Sequence, residues 1–387
     1  MVAIRSTAAA STAAATAAAR CIAEFRWAEH TCPVAKRGAA VTAALAAFAD
    51  GGCSTTRGPS GCGCAYLPDQ LERWLAETRA MVDAGLQAFT DAENPTDSQK
   101  RKIARGYLWS YFHMKITETA KVEVVKGSIK KVKNFLDGTP HQSGTPHFYC
   151  GDTWLIKESR MDAAMDINEK ETILRDGPDG VSNPVPIEDV ENYQDHLWYL
   201  DAQTHQWVRN EMVPYWAHDF FEYVFDSDYE GKTMCTVGGI LAGTQDETKP
   251  PTLTLCPFAF ENKQGTVVLG DRKPSAGLSI MDIIPRSTTL YHELLHLTVG
   301  TRATLDYTYS WLKMKDALKK PDATPKEKEG EEIWYGKIYQ DIMRQNPDTI
   351  TFFSVGYWYF MQTTWNNDKN THKRWSFHTG AGEFLPI

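Results

Sequence analysis

Tyr291-His292-Glu293-Leu294-Leu295-His296 places two histidines four residues apart, with a glutamate directly after the first. On a helix of 3.6 residues per turn, positions i and i+4 share one face and position i+1 lies about 100° around from it. Two imidazoles one turn apart can hold one divalent ion between them, which is how a helix grips a catalytic zinc. Glu293 is offset from that face. It would reach a water on the open side of the ion and not the ion itself, which suits a general base. The pattern has meaning only on a helix, and its flanks agree with one. Pro285 precedes it, Ser287 or Thr288 is placed to cap it, Leu290, Leu294 and Leu297 form an apolar stripe, and Gly300 can end it.

An open zinc site needs a third protein ligand. One arrangement puts a third histidine six residues after the second, but that position is Arg302, so it is excluded. Carboxylates further on remain: Asp306, ten residues after His296, and Glu331 and Glu332 beyond it.

The stretch Gly300-Thr301-Arg302-Ala303-Thr304-Leu305-Asp306-Tyr307-Thr308-Tyr309 resembles the aspzincins, the deuterolysin-like and peptidyl-lysine metalloendopeptidases of fungi. Their signature is H-E-x-x-H followed by a G-T-x-D-x-x-Y-G type stretch. Four residues separate Gly300-Thr301 from Asp306 where that pattern has one, and Ser310 stands in place of its final glycine. A second pair, Tyr335-Gly336 with Glu332 three positions ahead, offers a competing alignment, to which Asp306 is preferred. Asn346-Pro347-Asp348-Thr349-Ile350-Thr351-Phe352-Phe353 is similar to the family's N-A-D-N-Y-x-x-F segment, and Leu255-Cys256-Pro257 to its L-C-P, so the resemblance spans roughly residues 250–362.

The resemblance implies an α+β, zincin-like metallopeptidase fold, mostly helical, with a small sheet preceding the H-E-x-x-H helix. It implies one Zn2+ per chain held by His292, His296 and Asp306, with Glu293 as general base and Tyr309 steadying the oxyanion. The expected activity is zinc-dependent endopeptidase cleavage of a protein or peptide substrate. The alternative is a secreted zinc-binding or host-interaction protein that keeps the fold with little or no proteolysis.

Composition narrows the partners. A net charge of −8 argues against nucleic acid or an anionic membrane, and no run of 18 apolar residues is present to span a bilayer. A monomer is expected. Residues 1–64 are dominated by Ala, Gly, Ser and Thr and read as a low-complexity leader; its basic start, Met1-Val2-Ala3-Ile4-Arg5, is compatible with secretion. Of eight cysteines, Cys21, Cys32, Cys53, Cys62 and Cys64 fall in that leader. Among Cys150, Cys235 and Cys256 one disulfide is expected, leaving one thiol over.

Beyond the leader, residues 65–225 read as a helical N-terminal part and 226–387 as the catalytic part. Leu71, Trp74, Leu75, Thr78, Met81 and Val82 recur at helical spacing, and Tyr107, Leu108, Tyr111 and Phe112 predict a second helix. Thr252–Pro257 and Gly265–Leu269 read as short strands before the metal helix.

Overall fold

The apolar series that begins at Leu71 becomes one face of helix α1, Pro68–Glu93, in a computed structural model that describes residues 68–166, 171–178, 180–200, 206–246, 248–320, 323, 337–363, 365 and 373–386. Leu71, Trp74, Leu75, Thr78, Met81 and Val82 are all buried. Two further helices follow, α2 (Ser98–Phe112) and α3 (Thr119–Leu136). At the start of α2, the side chain of Asp97 accepts a hydrogen bond from Lys100 N at 2.8 Å, satisfying one of the donors that every helix start leaves free. The leader lies outside the described residues.

Among the described residues, helix at 43% and strand at 19% make the architecture α+β, with helix dominant. The described residues fall into two compact units, one of 147–238 and one of 68–146 with 239–387. The periodicity of the sequence groups 65–225 together. Residues 68–146 instead belong with the half that carries the H-E-x-x-H segment, because the buried faces of α1 and α2 find their partners there.

In the unit of 147–238 the strands are β1 (His147–Tyr149), β2 (Leu155–Lys157), β3 (Leu174–Asp176) and β4 (Ser182–Pro184). Helix α4 (Glu191–Leu197) follows, then β5 (Trp198–Leu200), β6 (Trp207–Arg209), β7 (Met212–Ala217) and β8 (Glu222–Ser227). Strand β7 pairs antiparallel with both β2 and β8. Side chains alternate across a strand. Tyr215 and Ala217 accordingly enter one core with Tyr149 and Trp154, while Trp216 enters another with Tyr193 and Tyr223.

In the other unit, β9 (Ala242–Gln245) pairs antiparallel with β10 (Thr252–Leu255), with Leu255 opposite Ala242 and Thr252 opposite Gln245. After them come α5 (Pro257–Glu261), α6 (Thr288–Val299), α7 (Trp311–Leu318), α8 (Tyr339–Gln345) and α9 (Pro347–Met361). A hairpin of β11 (Lys373–Ser376) and β12 (Glu383–Pro386) follows. The strand expected at Gly265–Leu269 does not form. Thr266 makes one parallel bridge to Pro285, and its hydroxyl turns back to the carbonyl of Val268 at 3.1 Å, so the backbone curls instead of extending.

Helix α9 is buried on nearly every face and forms the centre of this unit. Phe353 meets Phe89 of α1 and Phe112 of α2 edge-on, at centroid separations of 5.9 and 5.0 Å. Tyr107 packs edge-on against Tyr357 at 5.2 Å, and Trp74 stacks on Phe260 at 4.6 Å. Edge-to-face and offset contacts of this kind add about 0.5–1.5 kcal/mol each beyond area burial. Gly85 of α1 marks the closest approach, since a Cβ there would stand 2.6 Å from Ser354 Oγ.

Candidate metal centre

Every residue of α6 from Leu290 to Leu297 is buried, so the H-E-x-x-H segment sits inside the fold. Ser287 occupies the position before the helix but does not cap it. Its hydroxyl bonds the buried Glu77 carboxylate of α1 at 2.5 Å, and Thr288 Oγ1 bonds the Pro285 carbonyl. Gly300 ends the helix as expected. Its φ of 104° is open to glycine, and its N–H returns to the His296 carbonyl at 2.8 Å.

The segment after Gly300 has no regular structure, and its shape comes from bonds to other elements. Asp246, just past β9, accepts from the Thr301 N–H and hydroxyl, both at 2.8 Å. Leu305 N–H donates to the Gln345 carbonyl at 3.0 Å. Asn346 Oδ1 accepts from Tyr307 N–H at 3.0 Å and Thr308 N–H at 3.2 Å. Its Nδ2 donates to the Thr308 carbonyl and to Thr349 Oγ1. Asp306 is therefore fixed on both sides by the junction between α8 and α9.

The result is a triangle of donor atoms. His292 Nε2 and His296 Nε2 lie 3.0 Å apart. Asp306 Oδ1 is 3.1 Å from the first and Asp306 Oδ2 is 3.1 Å from the second. Nitrogen and oxygen ligands of a tetrahedral zinc, each about 2.0–2.2 Å from the ion, stand about 3.3 Å from one another. The spacing and the donor chemistry both fit a zinc ion, and among the described residues these three form the one such cluster of His, Cys, Asp or Glu.

Compared with known protein families, characterised proteins and solved structures, the chain matches none.

Electrostatics at the cluster follow from enclosure and opposed charge. Burial works against protonation of His292, but the carboxylates of Asp348 and Asp306 outweigh it and raise its pKa well above the usual value. Burial likewise works against the charge on Asp306, and the two histidines prevail, holding its carboxyl well below the ordinary range. For Glu293 burial dominates and pushes the pKa up, partly offset by His292, His296 and a hydrogen bond from Thr244. That bond runs from Thr244 Oγ1 of β9 to Glu293 Oε2 at 2.8 Å; the same hydroxyl lies 3.2 Å from the Glu293 carbonyl.

Tyr309 lies beside the cluster, its ring centroid 5.8 Å from that of His292, and the residue is 63% exposed. Desolvation of its hydroxyl and the nearby Asp306 raise its pKa, so it keeps its proton. All five residues singled out in the sequence thus come together. Glu331, Glu332 and the Tyr335-Gly336 pair lie outside the described residues.

Four supporting residues had no assigned role in the sequence. Thr244 holds the glutamate, Asn346 holds the Asp306 segment, and Thr304 Oγ1 sits 2.7 Å from His296 Nδ1. Asp348 Oδ2 faces His292 Nδ1 at 3.2 Å and is buried with no other partner. Asp348 stood within the segment compared with the N-A-D-N-Y-x-x-F pattern, the one hint available. Cys150, Cys235 and Cys256 are all disulfide-bonded, so the leftover thiol expected among them does not occur.

Proposed function

We propose that the chain is a zinc-dependent endopeptidase of zincin-like fold, acting as a monomer on a protein or peptide substrate. The observation that carries this reading is the convergence of His292, His296 and Asp306 within 3.0–3.1 Å, with the Glu293 carboxylate held next to them by Thr244. His292, His296 and Asp306 would hold the ion, which when bound supplies Lewis acidity to a carbonyl and lowers the pKa of water.

The chain's own groups supply the rest. Glu293 takes a proton from the attacking water and returns it to the leaving amine, a role for which an upward-shifted carboxyl is suited. Thr244 keeps Oε2 aimed, removing the freedom that would scatter the proton's path. Tyr309, which keeps its proton beside Asp306, would donate to the oxygen on which negative charge develops, a contribution worth about 10²–10³ in rate. Strand β9 ends its sheet, which leaves an edge on which an extended peptide can pair through backbone hydrogen bonds.

Disulfides persist in oxidising compartments, so the bonded state of Cys150, Cys235 and Cys256 supports a secreted protein. Among the described residues no helix is long and apolar enough to cross a membrane.

The test is cleavage of a casein-like substrate by the full chain. Activity should stop on chelation, return with zinc, and be absent in Glu293→Gln while one zinc per chain is retained. Stoichiometric zinc without cleavage under any condition would sink the peptidase reading in favour of a zinc-binding protein.

A further inference from the structure

The two histidines of α6 are backed differently. His292 Nδ1 faces the carboxylate of Asp348, whereas His296 Nδ1 faces the hydroxyl of Thr304 at 2.7 Å. A carboxylate can only accept, so its partner nitrogen must carry the proton. A hydroxyl can donate or accept, and the surrounding bonds decide which.

Thr304 has one hydroxyl proton. The Gly300 carbonyl, exposed by the end of α6, lies 2.8 Å from Thr304 Oγ1 and takes that proton. The same carbonyl also collects the N–H groups of Ala303 and Thr304, both at 3.0 Å, which draws the helix end and Thr304 together. With its proton committed to Gly300, Thr304 meets His296 Nδ1 through an oxygen lone pair. Nδ1 then carries hydrogen and Nε2 carries the free pair directed at His292 and Asp306. Thr304 is only 2% exposed, so bulk water does not compete for Nδ1.

We infer that Thr304 is the positioning residue for His296: its hydroxyl, oriented by the Gly300 carbonyl, selects the Nδ1–H tautomer and so presents Nε2 to the ion. The inference rests on the metal-binding reading of the cluster.

The test uses the full chain with 15N-labelled histidine as wild type, Thr304→Val and Thr304→Ser. Long-range 1H–15N correlations on the chelator-treated protein read the tautomer, with the His296 signals assigned by their loss in His296→Asn. Competition with a chromophoric chelator reads the zinc Kd. Wild type should show hydrogen on His296 Nδ1. Thr304→Val, similar in shape but without the hydroxyl, should lose that preference and bind zinc about 10- to 100-fold more weakly. Thr304→Ser should restore both. An unchanged tautomer and Kd in Thr304→Val, or a wild type with hydrogen on Nε2, would overturn the inference. If wild type takes up no zinc, the metal reading fails; the tautomer comparison still decides the role of Thr304.

Discussion

Asp348 Oδ2, at the first turn of α9, stands 3.2 Å from His292 Nδ1 on α6; His292 is buried and the Oδ2 atom is enclosed. Residues 56 apart in sequence thereby meet at the ring nitrogen of His292 opposite the one that faces Asp306. Carboxylates placed behind a ligating imidazole fix its ring and raise its basicity. Asp348→Asn keeps the shape and removes the charge. We expect its zinc affinity, measured by chelator competition, to fall about 10- to 100-fold, with the circular dichroism spectrum unchanged. Affinity equal to wild type would remove Asp348 from the site.

The pH profile tests Glu293. Its pKa is raised by burial, and it must be ionised to take a proton, so activity is present above that pKa and lost as pH falls through it. The acidic limb of kcat/KM should therefore lie above the ordinary glutamate range of about 4.3. Thr244 lowers the same pKa through its hydrogen bond. Thr244→Val should accordingly move the limb to still higher pH. A limb that stays in place would separate Thr244 from the base.

Asn346 should matter for stability as well as for metal uptake. Asn346→Leu leaves the buried N–H of Thr308 without its acceptor, while Tyr307 N–H keeps its bond to the Leu305 carbonyl at 2.8 Å, in a region where Asn346 itself is 1% exposed. Each buried donor left unmade costs about 1–3 kcal/mol. A thermal melt should show a clear drop in Tm, together with weaker zinc binding, because Asp306 lies directly beside the freed segment. Loss of Tm with full zinc affinity would make Asn346 a fold residue alone.

At the contact between α1 and α9, Gly85→Ala would push a methyl group to 2.6 Å from Ser354 Oγ, which in turn lies 3.3 Å from the Tyr291 hydroxyl. Overpacking of this kind costs about 1–3 kcal/mol. The denaturation midpoint should fall, and Gly85→Ala with Ser354→Ala should recover part of the loss. A single variant as stable as wild type would mean the two helices part more easily than their packing suggests.

The helix of the H-E-x-x-H segment was legible because a spacing of four residues lies close to the helix period of 3.6, which sets His292 and His296 on one face. Asp306 was legible from its order after them. What supports these residues was not. Thr244 lies 49 residues before Glu293 and Asn346 lies 38–39 after the backbone it holds, and such pairings arise only when separate elements pack. The capping expectation for Ser287 failed for a similar reason: its hydroxyl was taken by Glu77, 210 residues away. The grouping of 65–225 failed because helical periodicity marks a buried face without saying which element covers it.

The bonds from Leu305 to Gln345 and from Tyr307 and Thr308 to Asn346 bring together the two ends of a long excursion in the chain. Helices α7 and α8 lie within the excursion, and for the chain that joins them the closure cost would grow only with the logarithm of its length, about 0.6 kcal/mol per doubling. The cradle is defined by its knot and not by the length of rope between. A search for relatives at fixed spacing from Asp306 to Asn346 would therefore overlook chains that tie the same knot with more or less cord.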